Sequence, residues 1–155
     1  MQQIKKILVP IDFSDYSKSA LRYAVDFAKI FNAKLYIIYV VEPVIYPADF
    51  SMGQISFPTA DIDLNERAKI ELQELAKTEI GSKLEYEVVI KTGKPFVEIN
   101  DAAAELDIDL IIIATHGHTG VEHLLFGSTA EKVVRKAPCP VLSLREPIKG
   151  YHYNT

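Results

Sequence analysis

Two segments of the sequence carry residues that can bind an anion, and the larger one follows an apolar run. It begins with Ala114–Gly120, which holds two glycines and two histidines, and continues to Gly127, Ser128 and Thr129, where a helix is expected to start. Glycine lets the backbone approach a ligand closely, and a helix N-terminus offers unpaired N–H groups and a favourable dipole. The two hydroxyls add donors at the same place. This segment therefore predicts a cradle for phosphate.

The second segment is the N-terminal run Lys6–Ile11, which ends at the carboxylate of Asp12. An apolar strand of this kind belongs inside a parallel sheet, and such sheets bind ligands beyond the carboxyl ends of their strands, where the strand order reverses. Asp12 could bind a ligand there or could merely start the following helix. We favour binding, because of this position.

Spacing alone does not identify the anion. The sequence has no G-x-x-x-x-G-K-[ST] loop, and Gly117–Gly120 lacks the G-x-G-x-x-G spacing of dinucleotide-binding folds. Turn glycines followed by a helix cap would explain the segment as well. The histidines His116, His118 and His123 have no cysteine or carboxylate at ligand spacing, which disfavours a zinc site.

Strand and helix patterns alternate along the whole chain. Buried or partly alternating runs predict strands at Lys6–Asp12, Ala33–Val41, Leu84–Lys91, Asp109–Ala114 and Val141–Leu144. Helical spacing predicts helices after Ser14, from about Asp61 to Ile80, from Pro95 to about Leu106 and from Ser128 to before Pro138. This order predicts an α/β fold with a doubly wound parallel sheet. We expect one domain over residues 1–146, with a long loop or lid at 42–60, and a polar tail at 147–155.

Composition excludes several classes of function. The net charge is −4 and the basic residues form no run, so we expect no nucleic-acid partner. No apolar stretch is long enough to span a bilayer, and the N-terminus is interrupted by Pro10 too early for a secretory signal. A single cysteine, Cys139, fits a reducing compartment and is expected to be a buried structural thiol. We therefore expect a cytoplasmic protein.

Two motifs in the sequence closely resemble those of the universal stress protein family. They are Ile7–Ser14 and the C-terminal pair formed by Ala114–Thr129 and Ala137–Val141, and the likeness extends from Lys5 to Leu144. The resemblance implies an open five-stranded parallel sheet in the order 3-2-1-4-5 with helices on both faces, a Rossmann-like fold similar to the adenine nucleotide alpha hydrolases. The ATP-binding branch of the family carries G-x-x-G, nine residues and then G-[ST]. Gly117 and Gly127-Ser128 match that pattern, whereas Ala114 stands where its first glycine is expected.

The resemblance also implies roles for individual residues. Gly117, Gly127, Ser128 and Thr129 would hold the phosphates of an adenine nucleotide, with His118 beside them. Ala114, Thr115 and His116 would form the start of the loop, with His116 packing against it. Pro10, Ile11 and Asp12 would line the adenosine end, with Asp12 near the ribose or a Mg²⁺ ion, and the backbone of Val40 would meet the adenine edge. The ligand would be ATP or one of AMP, ADP and cyclic AMP.

We expect a binding protein rather than an enzyme, because no positioned base or cationic clamp accompanies Asp12 and at most slow ATP hydrolysis is expected. The function would be stress response or signalling through ligand-dependent conformation and partner interaction. The alternative, which Ala114 favours, is a dimeric interaction protein that binds no nucleotide. In either case we expect a homodimer through the final edge strand Val141–Leu144, whose outer backbone groups are unpaired.

Overall fold

The computed structural model describes residues 3–43, 58–116 and 126–145, and gives only the backbone for residues 58–61. Strands and helices alternate through these segments, as the sequence predicts. The strands are β1 (Lys6–Pro10), β2 (Lys34–Val41), β3 (Tyr86–Thr92), β4 (Leu110–Ala114) and β5 (Val141–Leu144). The helices are α1 (Asp15–Phe31), α2 (Pro58–Glu79), α3 (Pro95–Glu105) and α4 (Ser128–Lys136). In the described part of the chain, no helix is both long and apolar enough to cross a membrane.

The five strands form one parallel sheet in the order β3-β2-β1-β4-β5, which confirms the predicted topology. The chain runs outward from β1 to β3, returns to β4 on the other side of β1, and ends at β5. The order therefore reverses between β1 and β4. Because the strands are parallel, the residues that follow Pro10 and Ala114 meet at the same edge of the sheet.

Each face of the sheet has its own hydrophobic core. Ile7 and Val9 pack under α1 and α2, whereas the intervening Leu8 packs under α3 and α4. The same alternation places Ile112 on the first face and Ile111 on the second, and all five side chains are fully buried. Burial of an aliphatic side chain of this size stabilises the fold by about 1.5–3 kcal/mol. Because helices cover both faces of the sheet, the central strands form a rigid base for the residues that follow their carboxyl ends.

Helix α1 begins after Ser14, as the sequence predicts. Ser14 is its N-cap, and its side-chain oxygen accepts a hydrogen bond from the N–H of Ser17. Asn32 ends it in the left-handed conformation with φ 52°. Phe31, the last residue of α1, is 42% exposed, and its ring centroid lies 6.0 Å from that of Phe27.

The predicted connection at 42–60 is shorter in the structure. Helix α2 begins at Pro58, three residues earlier than expected, so residues 58–60 are helical and do not belong to a loop. The remainder of that prediction, residues 44–57, lies outside the described residues, and so does the predicted tail at 147–155. Strand β3 begins at Tyr86 and its side chains are mostly half-buried, as its position at one edge of the sheet requires.

Candidate functional site

A cleft of about 560 Å³ opens at the carboxyl edge of the sheet, at the point where the strand order reverses. The ends of β1, β2 and β4 form its base, and the first turn of α4 forms one wall. A volume of this size suits a small organic ligand. The predicted site residues that line it are Pro10, Ile11, Asp12, Val40, Ala114, Thr115, His116, Gly127, Ser128 and Thr129.

The structure thus brings together ten residues that come from four separate parts of the sequence. Gly117 and His118, which were also predicted to bind the ligand, lie outside the described residues, as does His123. Proximity does not establish binding, so the ligand-binding role of the ten remains a prediction.

Asp12 has a structural role in addition to its place in the cleft. Its Oδ1 accepts hydrogen bonds from the N–H of Ser14, at 2.9 Å, and from the hydroxyl of the same residue. Its own N–H donates to Oγ of Ser17 at 3.3 Å. The carboxylate therefore shapes the turn into α1. Helix initiation and ligand binding, the two roles considered for Asp12, are compatible in this geometry.

The turn after Asp12 contains a strained residue. Phe13 has φ 63°, in the left-handed region that a bulky side chain rarely adopts. Its ring packs on that of Tyr39, with the ring centroids 4.9 Å apart. Such strain costs about 1–3 kcal/mol and persists where the surrounding structure imposes it. Here it allows the chain to turn sharply, so that Asp12 stays at the mouth of the cleft.

The N-terminus of α4 faces the cleft without a side-chain cap. Gly127 is the N-cap residue, and its N–H donates to the carbonyl oxygen of Thr115 at 2.6 Å. A Cβ at position 127 would lie 3.2 Å from that oxygen, so glycine permits the close approach of the two segments. The first N–H groups of a helix have no partner within it. Ser128 and Thr129 line the cleft, and no partner of their N–H groups occurs among the described residues, so these groups can donate to an anion there.

Val40 presents its backbone at the opposite side of the cleft. Pairing between β1 and β2 ends where the N–H of Ile11 donates to the carbonyl of Ile38 at 2.8 Å. In a parallel strand, alternate residues direct both backbone groups to the same side. Val40 is the next residue of β2 whose N–H and C=O are directed towards β1, and it lies beyond the last paired residue, Pro10.

Thr115 holds the start of the loop in place through three groups. Its N–H donates to the carbonyl of Leu144 at 2.9 Å, and its carbonyl accepts from Gly127 as described. Its hydroxyl lies 3.0 Å from Nδ1 of His116. The His116 ring in turn contacts that of Tyr16, with the centroids 5.6 Å apart. His116 thus contacts the first turn of α1 and also lines the cleft, whereas the loop against which it was predicted to pack lies mostly outside the described residues.

The charge of the cleft lining is negative. Asp12 and Glu42 supply carboxylates, and no lysine or arginine lines the cleft within the described residues. Burial raises the pKa of Tyr39, and the negative charges of Glu71, Glu42 and Asp12 raise it further. An anionic ligand would therefore depend on backbone and hydroxyl donors, on a bound cation, or on both.

The fit of a magnesium ion is limited. No group of three metal-ligating side chains occurs among the described residues. Asp12 is placed to contribute one oxygen, and Mg²⁺ accepts such sites when phosphate oxygens and water complete its six ligands. The residues present thus suit an ion that is carried by the ligand, not one held by the protein alone.

Sequence reasoning missed several residues of the cleft: Ser17, Tyr39, Val41, Glu42, Leu64, Pro95 and Ile99. The end of β2 could have indicated Tyr39 and Glu42, because the carboxyl ends of neighbouring parallel strands meet. Leu64 and Pro95 carry no such signal, since only the packing of α2 and α3 brings them to the cleft.

Known proteins resemble this chain in sequence and in fold. The model of the "Universal stress protein family" matches residues 3–145. Universal stress protein MJ0531 of Methanocaldococcus jannaschii is 40% identical over 94% of this chain and 84% of its own length. The structure of the protein MJ0577 from the same organism superimposes with a TM-score of 0.80 at 26% identity, covering 95% of this chain and 99% of that one. A universal stress protein in complex with cAMP superimposes with a TM-score of 0.64 at 25% identity, covering 93% and 98%.

Proposed function

Because this chain belongs to the universal stress protein family, we propose that it binds an adenine nucleotide in the cleft between Asp12 and the N-terminus of α4. The observation that carries the proposal is the uncapped start of α4 at the switch point of the sheet, opposite a carboxylate. Phosphate binds well at such a helix terminus.

The phosphate end of the proposed site is formed by backbone. Gly127 brings the start of α4 close to Thr115, and Ser128 and Thr129 line the cleft, where their N–H groups would donate to phosphate. The two hydroxyls add donors. Gly117 and His118 are proposed to complete this end, on the strength of the motif alone.

The adenosine end of the proposed site is formed by β1 and β2. Val40 offers one donor and one acceptor from its backbone, which complement the acceptor N1 and the donor amino group of adenine. Pro10 and Ile11 supply apolar surface for the nucleoside. Asp12 would accept hydrogen bonds from the ribose hydroxyls or bind a Mg²⁺ ion held mainly by the phosphates.

ATP is the proposed ligand, with AMP, ADP and cyclic AMP as the other candidates. The related protein in complex with cAMP supports an adenylate as the class of ligand. Ala114 decides how well a triphosphate fits, because its methyl group stands where the ATP-binding motif has glycine. It is the last residue of β4 and has negative φ, so its backbone tolerates the methyl group.

The direct test is to identify what the purified protein carries. We expect chromatography of the supernatant after denaturation to yield an adenylate, and calorimetry on the emptied protein to show saturable binding of ATP or AMP. Protein that purifies empty and gives neither a calorimetric signal nor a thermal shift with any of the four nucleotides would refute the proposal.

The second candidate function is a homodimeric interaction protein that binds no nucleotide. It is favoured by Ala114 and by β5, an edge strand that pairs with β4 alone within the ranges that the structure describes. We propose that two copies pair through Val141–Leu144, whichever function holds. Light scattering should give a dimer at micromolar concentration, and a monomer there would contradict the pairing.

The proposed role of the bound nucleotide is to change conformation or partner choice in stress response or signalling within the cytoplasm. A catalytic role is not proposed, because the cleft lining offers carboxylates without a cationic clamp among the described residues. Turnover of ATP well above the slow background of the buffer would overturn this part of the proposal.

A further inference from the structure

We infer that Leu64 of α2 is a nucleoside-binding residue, whose side chain forms an apolar wall against which the base of the nucleotide packs; this rests on the proposed nucleotide binding. Leu64 belongs to none of the motifs that predicted the site, yet it lines the cleft. Because its contact would be with the nucleoside, it would strengthen the binding of AMP and of ATP by the same factor.

Leu64 lies on the side of the cleft that the end of β2 forms. The hydroxyl of Thr92, the last residue of β3, donates to Oδ1 of the neighbouring Asn65 at 3.3 Å. Thr92 is the register partner of Val41, the last residue of β2, and Val41 also lines the cleft. The start of α4 instead adjoins the end of β4, on the other side of β1. Leu64 is therefore at the proposed adenosine end of the cleft and away from the phosphate end.

The exposure of Leu64 follows from its place on α2. Leu64, Ala68 and Leu72 are spaced four residues apart, so they lie along one side of the helix. Leu72 is fully buried in the core on that face of the sheet and Ala68 is 7% exposed, whereas Leu64 is 43% exposed. The apolar side of α2 thus continues from the core to the cleft, where a ligand would remove Leu64 from water.

The chemistry of this end of the cleft fits a nucleobase. The flat faces of a base are apolar and its edge is polar, so Leu64 would cover a face while the backbone of Val40 meets the edge. Burial of apolar surface between the base and Leu64 is favourable. Glu42, which follows β2 and lines the cleft, would repel a phosphate at the same place. The uncharged nucleoside is therefore the part of the ligand that Leu64 contacts.

The experiment is calorimetric titration of wild type, Leu64→Ala, Leu64→Met and Ile62→Ala with ATP and with AMP. Ile62, 61% exposed on the same helix, is not among the described residues that line the cleft, so its substitution is a matched control. Leu64→Ala should weaken the binding of both nucleotides by the same factor of about five, whereas Leu64→Met, which conserves the apolar volume, and Ile62→Ala should stay within about twofold of wild type.

A fluorescent reporter tests the contact directly. The chain contains no tryptophan, so Leu64→Trp and Ile62→Trp each carry a single indole. An adenine base that stacks on the indole should quench the emission of Leu64→Trp and leave that of Ile62→Trp unchanged. Circular dichroism of each variant checks that the fold is kept.

The outcomes separate this inference from the proposed function. Unchanged affinity of Leu64→Ala for a nucleotide that wild type binds would refute the role of Leu64 and leave nucleotide binding intact. A loss confined to ATP, or an equal loss in Ile62→Ala, would also refute it. Absence of binding by wild type with both nucleotides would overturn the proposed function and this inference together.

Discussion

Substitution of Asp12 separates its two roles, the turn into α1 and the proposed contact with nucleotide. Asp12→Ala removes both hydrogen bonds that Oδ1 accepts from Ser14. Hydrogen bonds to a charged group contribute about 1.5–3 kcal/mol each, and partial exposure reduces this, so we expect a loss of about 2 kcal/mol in the free energy of unfolding. Asp12→Asn keeps an oxygen acceptor and loses only the charge, at a cost of about 0.5–1 kcal/mol.

The two variants should therefore differ clearly in a thermal melt. For a domain of this size, 1 kcal/mol shifts Tm by about 2–4 °C, which predicts a drop of about 4–8 °C for Asp12→Ala and about 1–4 °C for Asp12→Asn. Asp15→Asn is the matched control. Asp15 is an exposed acid in the first turn of the same helix, so its substitution reports the helix-dipole contribution without touching the cleft.

Ligand affinity gives the second half of the test. Both Asp12 variants should bind ATP roughly tenfold more weakly, because each loses one hydrogen bond between the ligand and a charged carboxylate. Asp15→Asn should bind ATP as wild type does. If Asp12 contacts the ribose, the loss persists in EDTA and with adenosine; if it acts through Mg²⁺, EDTA abolishes the difference. Unchanged affinity in Asp12→Asn would show that Asp12 only starts the helix. Equal melting temperatures for the Ala and Asn variants would show that the Oδ1 acceptor does not hold the turn.

Three further predictions concern the scaffold. Leu72→Ala, at a fully buried position of α2, should lower the free energy of unfolding in urea by about 2–5 kcal/mol, whereas Ile70→Ala, 58% exposed on the same helix, should change it by about 0.5 kcal/mol or less. Gly93→Ala should destabilise by more than about 1 kcal/mol, because φ is 151° and the new methyl group would meet the Glu98 carboxyl; unchanged urea unfolding would contradict this. Burial raises the pKa of the Cys139 thiol, and the charge of Asp109 adds to this, so iodoacetamide at pH 7.5 should modify native protein far more slowly than unfolded protein. With a raised folded-state pKa, the thiol's contribution to stability is present below about pH 8.5 and is lost as the pH rises above that value.

The fold was predictable because its signals are local and repeated. Continuous apolar runs of strand length such as Leu110–Ala114 favour strands covered on both faces, and Ser14 marks the start of α1 by its preferred cap conformation. The start of α2 was less predictable, because proline suits both a loop and the first turn of a helix, so the sequence did not place the boundary at Pro58.

The sequence by itself determined the fold class and the family, and it predicted which motif residues would bind a ligand. Only the tertiary structure decided how they meet. It showed that the carbonyl of Thr115 holds Gly127, that Asp12 both shapes the turn and lines the cleft, and that no lysine or arginine lines the cleft among the described residues. The reason is physical. A motif determines the local conformation and the chemical groups of one short segment. The charge and shape of a cleft depend on side chains from several distant segments, which become neighbours only when the parallel strands bring their carboxyl ends to the same edge of the sheet.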